Sequence, residues 1–245
     1  MREYGLIGFP LSHSFSQKYF TDKFVKESID DAIFHAFSIP TINELPDVLK
    51  QHPALKGFAI TIPYKRAVIP YLTSVSDAVK ETGACNCVKI DGAALTGYNT
   101  DIAGFENCFI KPLQKHHTRA LILGTGGAAA AVEFVLQRLQ LPYAYVSRNT
   151  DKAANILGYG DLTAGIMQQH TIIINCTPLG TYPKTDEAPA IPYNLLTPNH
   201  YLFDLVYNPP LTKFLQLGKE KGATIQNGYE MLVIQAEENW KIWNG

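Results

Sequence analysis

The chain has 245 residues, 46% apolar and 18% charged, with 21 Lys and Arg against 22 Asp and Glu. This composition excludes a disordered or collagen-like chain, and a net charge of -1 leaves no basic footprint for nucleic acid or an anionic membrane. The length accommodates one large domain or two small ones.

In chain order, Tyr4 to Phe9 reads as a strand ended by Pro10. Ser16 to Glu27 carries Tyr19, Phe20, Phe24 and Val25 at helical spacing, and Ile33 to Ile39 reads as a second strand. Thr41-Ile42-Asn43-Glu44 is a capping-box pattern that predicts a helix after it. Gly57 to Ile62 is a strand stopped by Pro63, and Asp77 to Thr82 is a short helix stopped at Gly83. Cys85 to Ile90 and Ala94 to Tyr98 flank Asp91-Gly92, a hairpin signal. After a polar break at Lys115 to Thr118 the style changes. Ala120 to Leu123 (strand), Gly124 to Gly127 (turn), Ala128 to Leu139 (helix) and Tyr143 to Val146 (strand) follow in succession, with later strands at Thr171 to Ile174 and Tyr201 to Val206. Continuous apolar strands of this kind suit a parallel sheet covered on both faces, so the second half reads as a doubly wound nucleotide-binding unit.

Cys85, Cys87, Cys108 and Cys176 include one C-x-C pair and no second pair at zinc-finger spacing. They read as reduced, mostly buried thiols, and no metal is expected. Met1-Arg2-Glu3-Tyr4 leads straight into an apolar run, so no signal peptide is expected, and no apolar stretch reaches the ~20 residues of a membrane span. A cytoplasmic setting is the default expectation.

Gly124-x-Gly126-x-x-Ala129 fits the G-x-G-x-x-G/A fingerprint, between a predicted strand and a predicted helix. The first glycine permits the tight turn. The second lets the backbone approach a pyrophosphate at a helix N-terminus, and the small third residue lets helix and strand pack closely. After the next strand stands Ser147-Arg148-Asn149, with Lys152 one turn on, where NAD selection would place an acid. A guanidinium and an ammonium pair with phosphate oxygens, so NADP is the expected cofactor, although Asp151 tempers the signal and a solvated surface pair is the bland alternative.

The first half offers Ser14, Ser16, Thr61, Lys65, Asn86, Asn99 and Asp101 at strand ends and loops. Each has an ordinary reading. The serines and Asp101 can cap helices, Lys65 can be a surface lysine, and Asn86 a turn residue. Spacing alone does not make them a site.

Together, however, the blocks resemble the shikimate dehydrogenase family over nearly the whole chain. Gly8 to Ser16 is similar to the family's opening block, and the resemblance implies that Ser14 and Ser16 hold the substrate carboxylate. Thr61-Ile62-Pro63-Tyr64-Lys65 resembles the block ending in the catalytic lysine, and Gly83-Ala84-Cys85-Asn86 the block whose asparagine binds substrate hydroxyls. Gly97-Tyr98-Asn99-Thr100-Asp101 resembles the block with the catalytic aspartate. Gly124, Thr125, Gly126, Gly127 and Ala128 form the implied cofactor turn, and Ser147, Arg148, Asn149 and Lys152 the phosphate clamp. Asn175 to Gly180, with Thr177, lies where the family has a cofactor-side loop. Asp204 to Pro209 contains Leu205, on the cofactor side, and Tyr207, which reaches the substrate. In Gly228 to Ala236 the resemblance places Gly228 near nicotinamide and Gln235 on the substrate.

The chain departs from the family pattern at Ala59 for asparagine, Gln17 for proline, Cys87 for threonine and Ile102 for glycine. Loss of the amide at position 59 bears on hydroxyl recognition and on quinate as a rival substrate.

The resemblance implies a two-domain α/β architecture. A substrate-binding domain over residues 1–101 precedes a Rossmann-type NADP domain over 102–228, with a final helix over 229–245 packing back on the first. It implies an oxidoreductase of aromatic amino acid biosynthesis, reducing 3-dehydroshikimate with NADPH, with Lys65 as proton donor and Asp101 positioning lysine and substrate. It adds no nucleic-acid or membrane partner and leaves monomer or homodimer open. A quinate/shikimate dehydrogenase using NAD and a non-catalytic metabolite sensor are the alternatives. Arg148 speaks against the first, and Lys65 with Asp101 against the second.

Overall fold

A computed structural model describes residues 1–11, 15–149 and 156–245. The chain forms two compact units, residues 1–100 with 236–245, and residues 101–235.

The first unit runs β1 (Arg2–Gly8), α1 (Phe15–Lys26), β2 (Ala32–Ser38), α2 (Leu45–Gln51), β3 (Leu55–Ile60), β4 (Ser74–Val75), α3 (Asp77–Thr82), β5 (Cys87–Asp91) and β6 (Ala94–Tyr98). The expected capping box forms at Thr41, but it opens a single 3-10 turn over Ile42–Glu44. Pro46 then stands in the first turn of α2, where its missing N–H costs nothing. α3 is capped by Ser76 Oγ, which accepts from the Val79 N–H, and stops at Gly83, whose φ of 59° suits glycine.

The strands order β2-β1-β3-β5-β6-β4. β1 pairs parallel with β2 and β3, and β5 is antiparallel to β3 and β6. One face of this sheet carries Tyr4, Leu6, Phe34 and Ala59 against Phe20 and Phe24 of α1 and Trp243 near the chain's end. Gly57 leaves room for the Trp243 indole, which lies on it; a Cβ there would run into the ring. The indole N–H donates to Val88 O at 3.0 Å, so the tryptophan's polar edge is satisfied. Ala59, 4% exposed, sits within this aromatic cluster. The opposite face packs Ile7, Phe58 and Ile60 with Leu45 and Val48 of α2.

The second unit runs α4 (Asp101–Phe109), β7 (Ala120–Leu123), α5 (Gly127–Arg138), β8 (Tyr143–Val146), β9 (Ile156–Leu157), α6 (Ala164–Gln169), β10 (Ile172–Asn175), β11 (Tyr201–Asp204), α7 (Lys213–Glu220) and β12 (Thr224–Asn227), followed by α8 (Tyr229–Asn244). Every strand pair is parallel, in the order β12-β11-β10-β7-β8-β9. This is the doubly wound order, with its reversal between β7 and β10. β7, β10 and β11 are buried at every residue, as expected for strands covered on both faces.

α8 is divided, Tyr229–Gln235 belonging to the second unit and Ala236–Asn244 to the first. The expected division at 101/102 falls one residue earlier, and the last helix is split rather than assigned whole to the first unit. None of the four cysteines is in a disulfide; Cys85, Cys87 and Cys108 are buried and Cys176 is partly so.

Candidate active site

In the first unit the loop after β3 is stitched to neighbouring strands. The Thr61 N–H donates to Ile7 O at 2.9 Å, and the Cys85 N–H donates to Lys65 O at 2.7 Å. The hydroxyl of buried Tyr64 donates to Ile39 O at 2.7 Å, anchoring the residue before Lys65. Thr61 and Lys65 are both partly exposed.

Asn86, 2% exposed, closes the arrangement from the next chain segment, its carbonyl accepting from the Ile60 N–H at 2.8 Å. Its Oδ1 accepts from the Thr100 N–H at 2.7 Å. A backbone N–H can only donate, so the amide is oriented with oxygen toward Thr100 and its NH₂ turned the other way. The Thr100 hydroxyl donates to Asn239 Oδ1 at 2.7 Å, and both residues are buried. Thus Thr61, Lys65 and Asn86 are brought together through backbone bonds, and Asn86 and Asn239 fix Thr100, whose chain neighbour is Asp101. Asn99 points into the fold instead, its Nδ2 donating to Thr82 Oγ1 and Ala84 O at 3.1 and 3.0 Å. Ser16 is partly exposed in the first turn of α1. Ser14 lies outside the described residues.

In the second unit Asp101 begins α4 and is 6% exposed. Gly104, one turn on, lets α4 meet α8 closely; a Cβ there would lie 2.7 Å from Met231 O and 3.3 Å from Gln235 Cβ. Gln235 is 6% exposed and its Nε2 donates to Leu232 O at 3.0 Å. The same packing therefore sets the backbones of Asp101 and Gln235. Tyr207 is half-buried, and burial pushes its phenol up from the ordinary value.

The turn after β7 has the form the fingerprint requires. Gly124 adopts φ of 96°, and a Cβ on it would approach Thr177 Cγ2 at 3.0 Å. Gly126 caps α5 with no side-chain bond, and the space where its Cβ would stand is open. Thr125 and Gly126 are exposed, while Gly127 and Ala128 are partly so. A helix of twelve residues that presents uncapped N–H groups beneath open space fits an anionic pyrophosphate. Ser147, Arg148 and Asn149 follow β8, with Arg148 exposed and the Asn149 N–H donating to Ser147 Oγ at 3.2 Å. Lys152 lies outside the described residues.

Across the sheet reversal a buried polar frame shapes the loop after β10. Asn175 Oδ1 accepts from the Thr177 N–H at 3.0 Å and from its hydroxyl at 2.6 Å. Asn175 Nδ2 donates to Asp204 Oδ1 at 2.9 Å, which also accepts from the Val206 N–H at 3.0 Å. Thr212 Oγ1 donates to Asp204 Oδ2 at 2.5 Å. Burial raises the Asp204 carboxyl to about 6 despite these donors. The frame extends to Leu205, whose N–H donates to Asn175 O at 3.0 Å. A Cβ on Gly228 would overlap the Leu205 carbonyl, so this approach requires glycine.

Sequence reasoning did not single out Thr100, Asn239, Asp204 or Thr212 as supporting groups. The motif blocks contained Thr100 and Asp204, but only the folded contacts reveal their partners.

A family model described as the shikimate dehydrogenase substrate binding domain matches residues 6–88. The shikimate dehydrogenase (NADP(+)) of Methanococcus maripaludis is 36% identical over 98% of this chain and 91% of its own length. That of Chlorobaculum tepidum is 35% identical over 99% and 90%. The crystal structure of shikimate 5-dehydrogenase from Thermus thermophilus in complex with NADP(H) and shikimate matches with a TM-score of 0.85 and 29% identity, over all of this chain and 94% of that one. With its doubly wound second unit, its glycine turn and its Lys65, Asn86 and Asp101 blocks in order, the chain belongs to the shikimate dehydrogenase family.

Proposed function

We propose that this protein is an NADP-dependent shikimate dehydrogenase, reversibly reducing 3-dehydroshikimate to shikimate in aromatic amino acid biosynthesis. The observation that carries the reading is the Asn86–Thr100 bond. It holds a substrate-type amide and the residue before Asp101 in one buried arrangement, in a chain that also presents a dinucleotide turn.

NADPH, when bound at the α5 turn, supplies the hydride to the ring ketone. Everything else falls to the protein. The Lys65 ammonium donates a proton to the ketone oxygen as negative charge develops there, and solvent restores the proton afterwards. Asp101 accepts a hydrogen bond from a substrate hydroxyl. The Asn86 NH₂ donates to a hydroxyl oxygen. Thr61 and Gln235 add further polar contacts to the ring. The hydroxyls of Ser14, Ser16 and Tyr207 donate to the carboxylate. Hydrogen bonds to a charged group contribute roughly 1.5–3 kcal/mol each, so three neutral donors suffice without an arginine.

On the cofactor side, Gly124, Thr125, Gly126, Gly127 and Ala128 carry the pyrophosphate, while Ser147, Arg148, Asn149 and Lys152 receive the 2′-phosphate. Thr177, Leu205 and Gly228 shape the nicotinamide end. We infer a cytoplasmic enzyme acting as a monomer or homodimer on small molecules alone; the unbridged, mostly buried thiols suit a reducing compartment. No described helix is long and apolar enough to cross a membrane.

The test follows nicotinamide absorbance with shikimate and quinate, each with NADP⁺ and NAD⁺, and with Lys65→Ala as control. Turnover of shikimate with NADP⁺ that disappears in the variant is expected. Preference for quinate or NAD⁺ would overturn the assigned specificity, and cofactor binding without turnover of any pair would favour a sensor.

A further inference from the structure

Away from the dehydrogenase machinery, three ligand-type side chains converge on the α2 face of the first sheet. Glu3 lies on β1, His35 on β2, and His52 directly follows α2. The parallel register sets His35 opposite Gly5, and residues 3 and 5 of a strand share a face, so Glu3 and His35 project to the same side. His52 enters that side from above, its ring 5.1 Å from His35 and 4.8 Å from Phe37.

The backbone holds this meeting in place. The His52 N–H donates to Val48 O at 3.0 Å, the Leu55 N–H to His52 O at 3.0 Å, and the Glu3 N–H to Ala54 O at 3.2 Å. The turn carrying His52 is therefore tied both to α2 and to the strand carrying Glu3.

His52 Nδ1 stands 2.7 Å from Glu3 Oε2, and His35 Nε2 stands 3.3 Å from the same oxygen. One ligand atom from each residue lies within 4.8 Å of the other two. His35 Nε2 is shielded from solvent and makes no hydrogen bond, although the Glu3 carboxylate lies within ion-pair distance of it. The nearby Arg2 is committed elsewhere, in a two-pronged bond to Asp31. The side chains remain between 23% and 29% exposed, which leaves a route for an ion.

Two imidazoles and one carboxylate form a donor set suited to zinc. Ligand atoms at about 2.1 Å from a tetrahedral ion stand roughly 3.4 Å apart, so occupancy asks that Glu3 and His52 part slightly and that the two histidine nitrogens, within 4.8 Å of each other, settle at that spacing. We propose that Glu3, His35 and His52 form a zinc-binding site with three protein ligands and a water in the fourth position. The ion satisfies His35 Nε2 and fastens β1, β2 and the end of α2 together. Because unfolded chain lacks this geometry, binding stabilises the fold. The site contains none of the residues assigned to the reduction.

The test uses the untagged full-length protein, titrated with Zn²⁺ in competition with a chromophoric chelator. One Zn²⁺ per chain is expected, with affinity falling at least tenfold in His35→Gln, in His52→Gln and in the nearly isosteric Glu3→Gln, which serves if a histidine variant fails to fold. Zn²⁺ should raise the Tm of the parent protein and not that of His52→Gln, while dehydrogenase turnover of His52→Gln stays unchanged. Substituted Co²⁺ should show visible d–d bands without thiolate charge transfer. Absence of stoichiometric binding, binding that survives all three substitutions, or a thiolate band would overturn the proposal. The first of these outcomes would leave the cluster an ordinary histidine–carboxylate hydrogen bond.

Discussion

The Thr100 hydroxyl donates to Asn239 Oδ1 at 2.7 Å across 139 residues of sequence, while the Thr100 N–H is held by Asn86 Oδ1. One threonine thus joins the end of the chain to the amide assigned to substrate binding, one residue before Asp101. Thr100→Val keeps the shape and removes the hydroxyl that donates to buried Asn239. A loss of about 1–3 kcal/mol in urea unfolding is expected, together with a raised KM for shikimate. Unchanged stability and KM would show that the backbone bond alone positions this segment.

Lys65 is assigned the proton that the reduced ketone takes up. Lys65→Ala should lower kcat by about 10²–10⁴ while KM for 3-dehydroshikimate moves only a few-fold. Steady-state NADPH oxidation reads both. A large KM change at normal kcat would make Lys65 a binding residue instead.

Arg148 stands exposed after β8. If it meets the 2′-phosphate, Arg148→Ala should raise KM for NADPH roughly ten- to hundred-fold, as expected for a lost charge-assisted bond, and leave the weaker use of NADH nearly unchanged. Parallel titrations with both nucleotides separate a phosphate contact from a general loss of fold.

Asp204 supplies a pH dependence of known sign. Its folded value of about 6 lies above the ordinary aspartate value, so between about pH 4 and pH 6 the unfolded chain has given up its proton while the folded one keeps it. Stability therefore falls as pH rises through this window, by about 3 kcal/mol in all, and the contribution is flat above it. In Asp204→Asn the Thr212 hydroxyl can reverse and accept from the new NH₂, so the frame survives and the slope disappears. Comparing chemical unfolding of both proteins from about pH 4 to about pH 7 tests this. An identical slope in the two would assign the proton to another group.

Apolar strands set between turn residues were legible in the sequence. Ala120 to Leu123 and Tyr143 to Val146 have the expected ends, because an apolar run of four residues between turn residues is too short for a helix. The two-residue strands Ser74–Val75 and Ile156–Leu157 carry no pattern of their own and exist only through their partners. β12, Thr224-Ile225-Gln226-Asn227, is a half-exposed edge strand whose polar residues mask the signal. Among site residues, those inside ordered motif blocks were legible. The Thr100–Asn239 and Asp204–Thr212 bonds were not, since side-chain hydrogen bonding leaves no periodicity. Position 59 shows the limit from the other side. Its missing amide reads in sequence as a change near substrate, whereas in the fold Ala59 is one of the residues packed in the Tyr4–Phe20–Phe34–Trp243 cluster.

The buried thiols give the molecule internal clocks. Burial drives the Cys87 thiol well above its ordinary value and the Cys108 thiol up to about 12, so the folded chain offers an alkylating reagent almost no thiolate at either position. Labelling must then wait for each site to open. Cys85 and Cys87 belong to the first unit, and Cys108 to the second. The order in which these sulfurs acquire label, read by mass spectrometry of peptides, would time the loosening of each unit separately without any added probe.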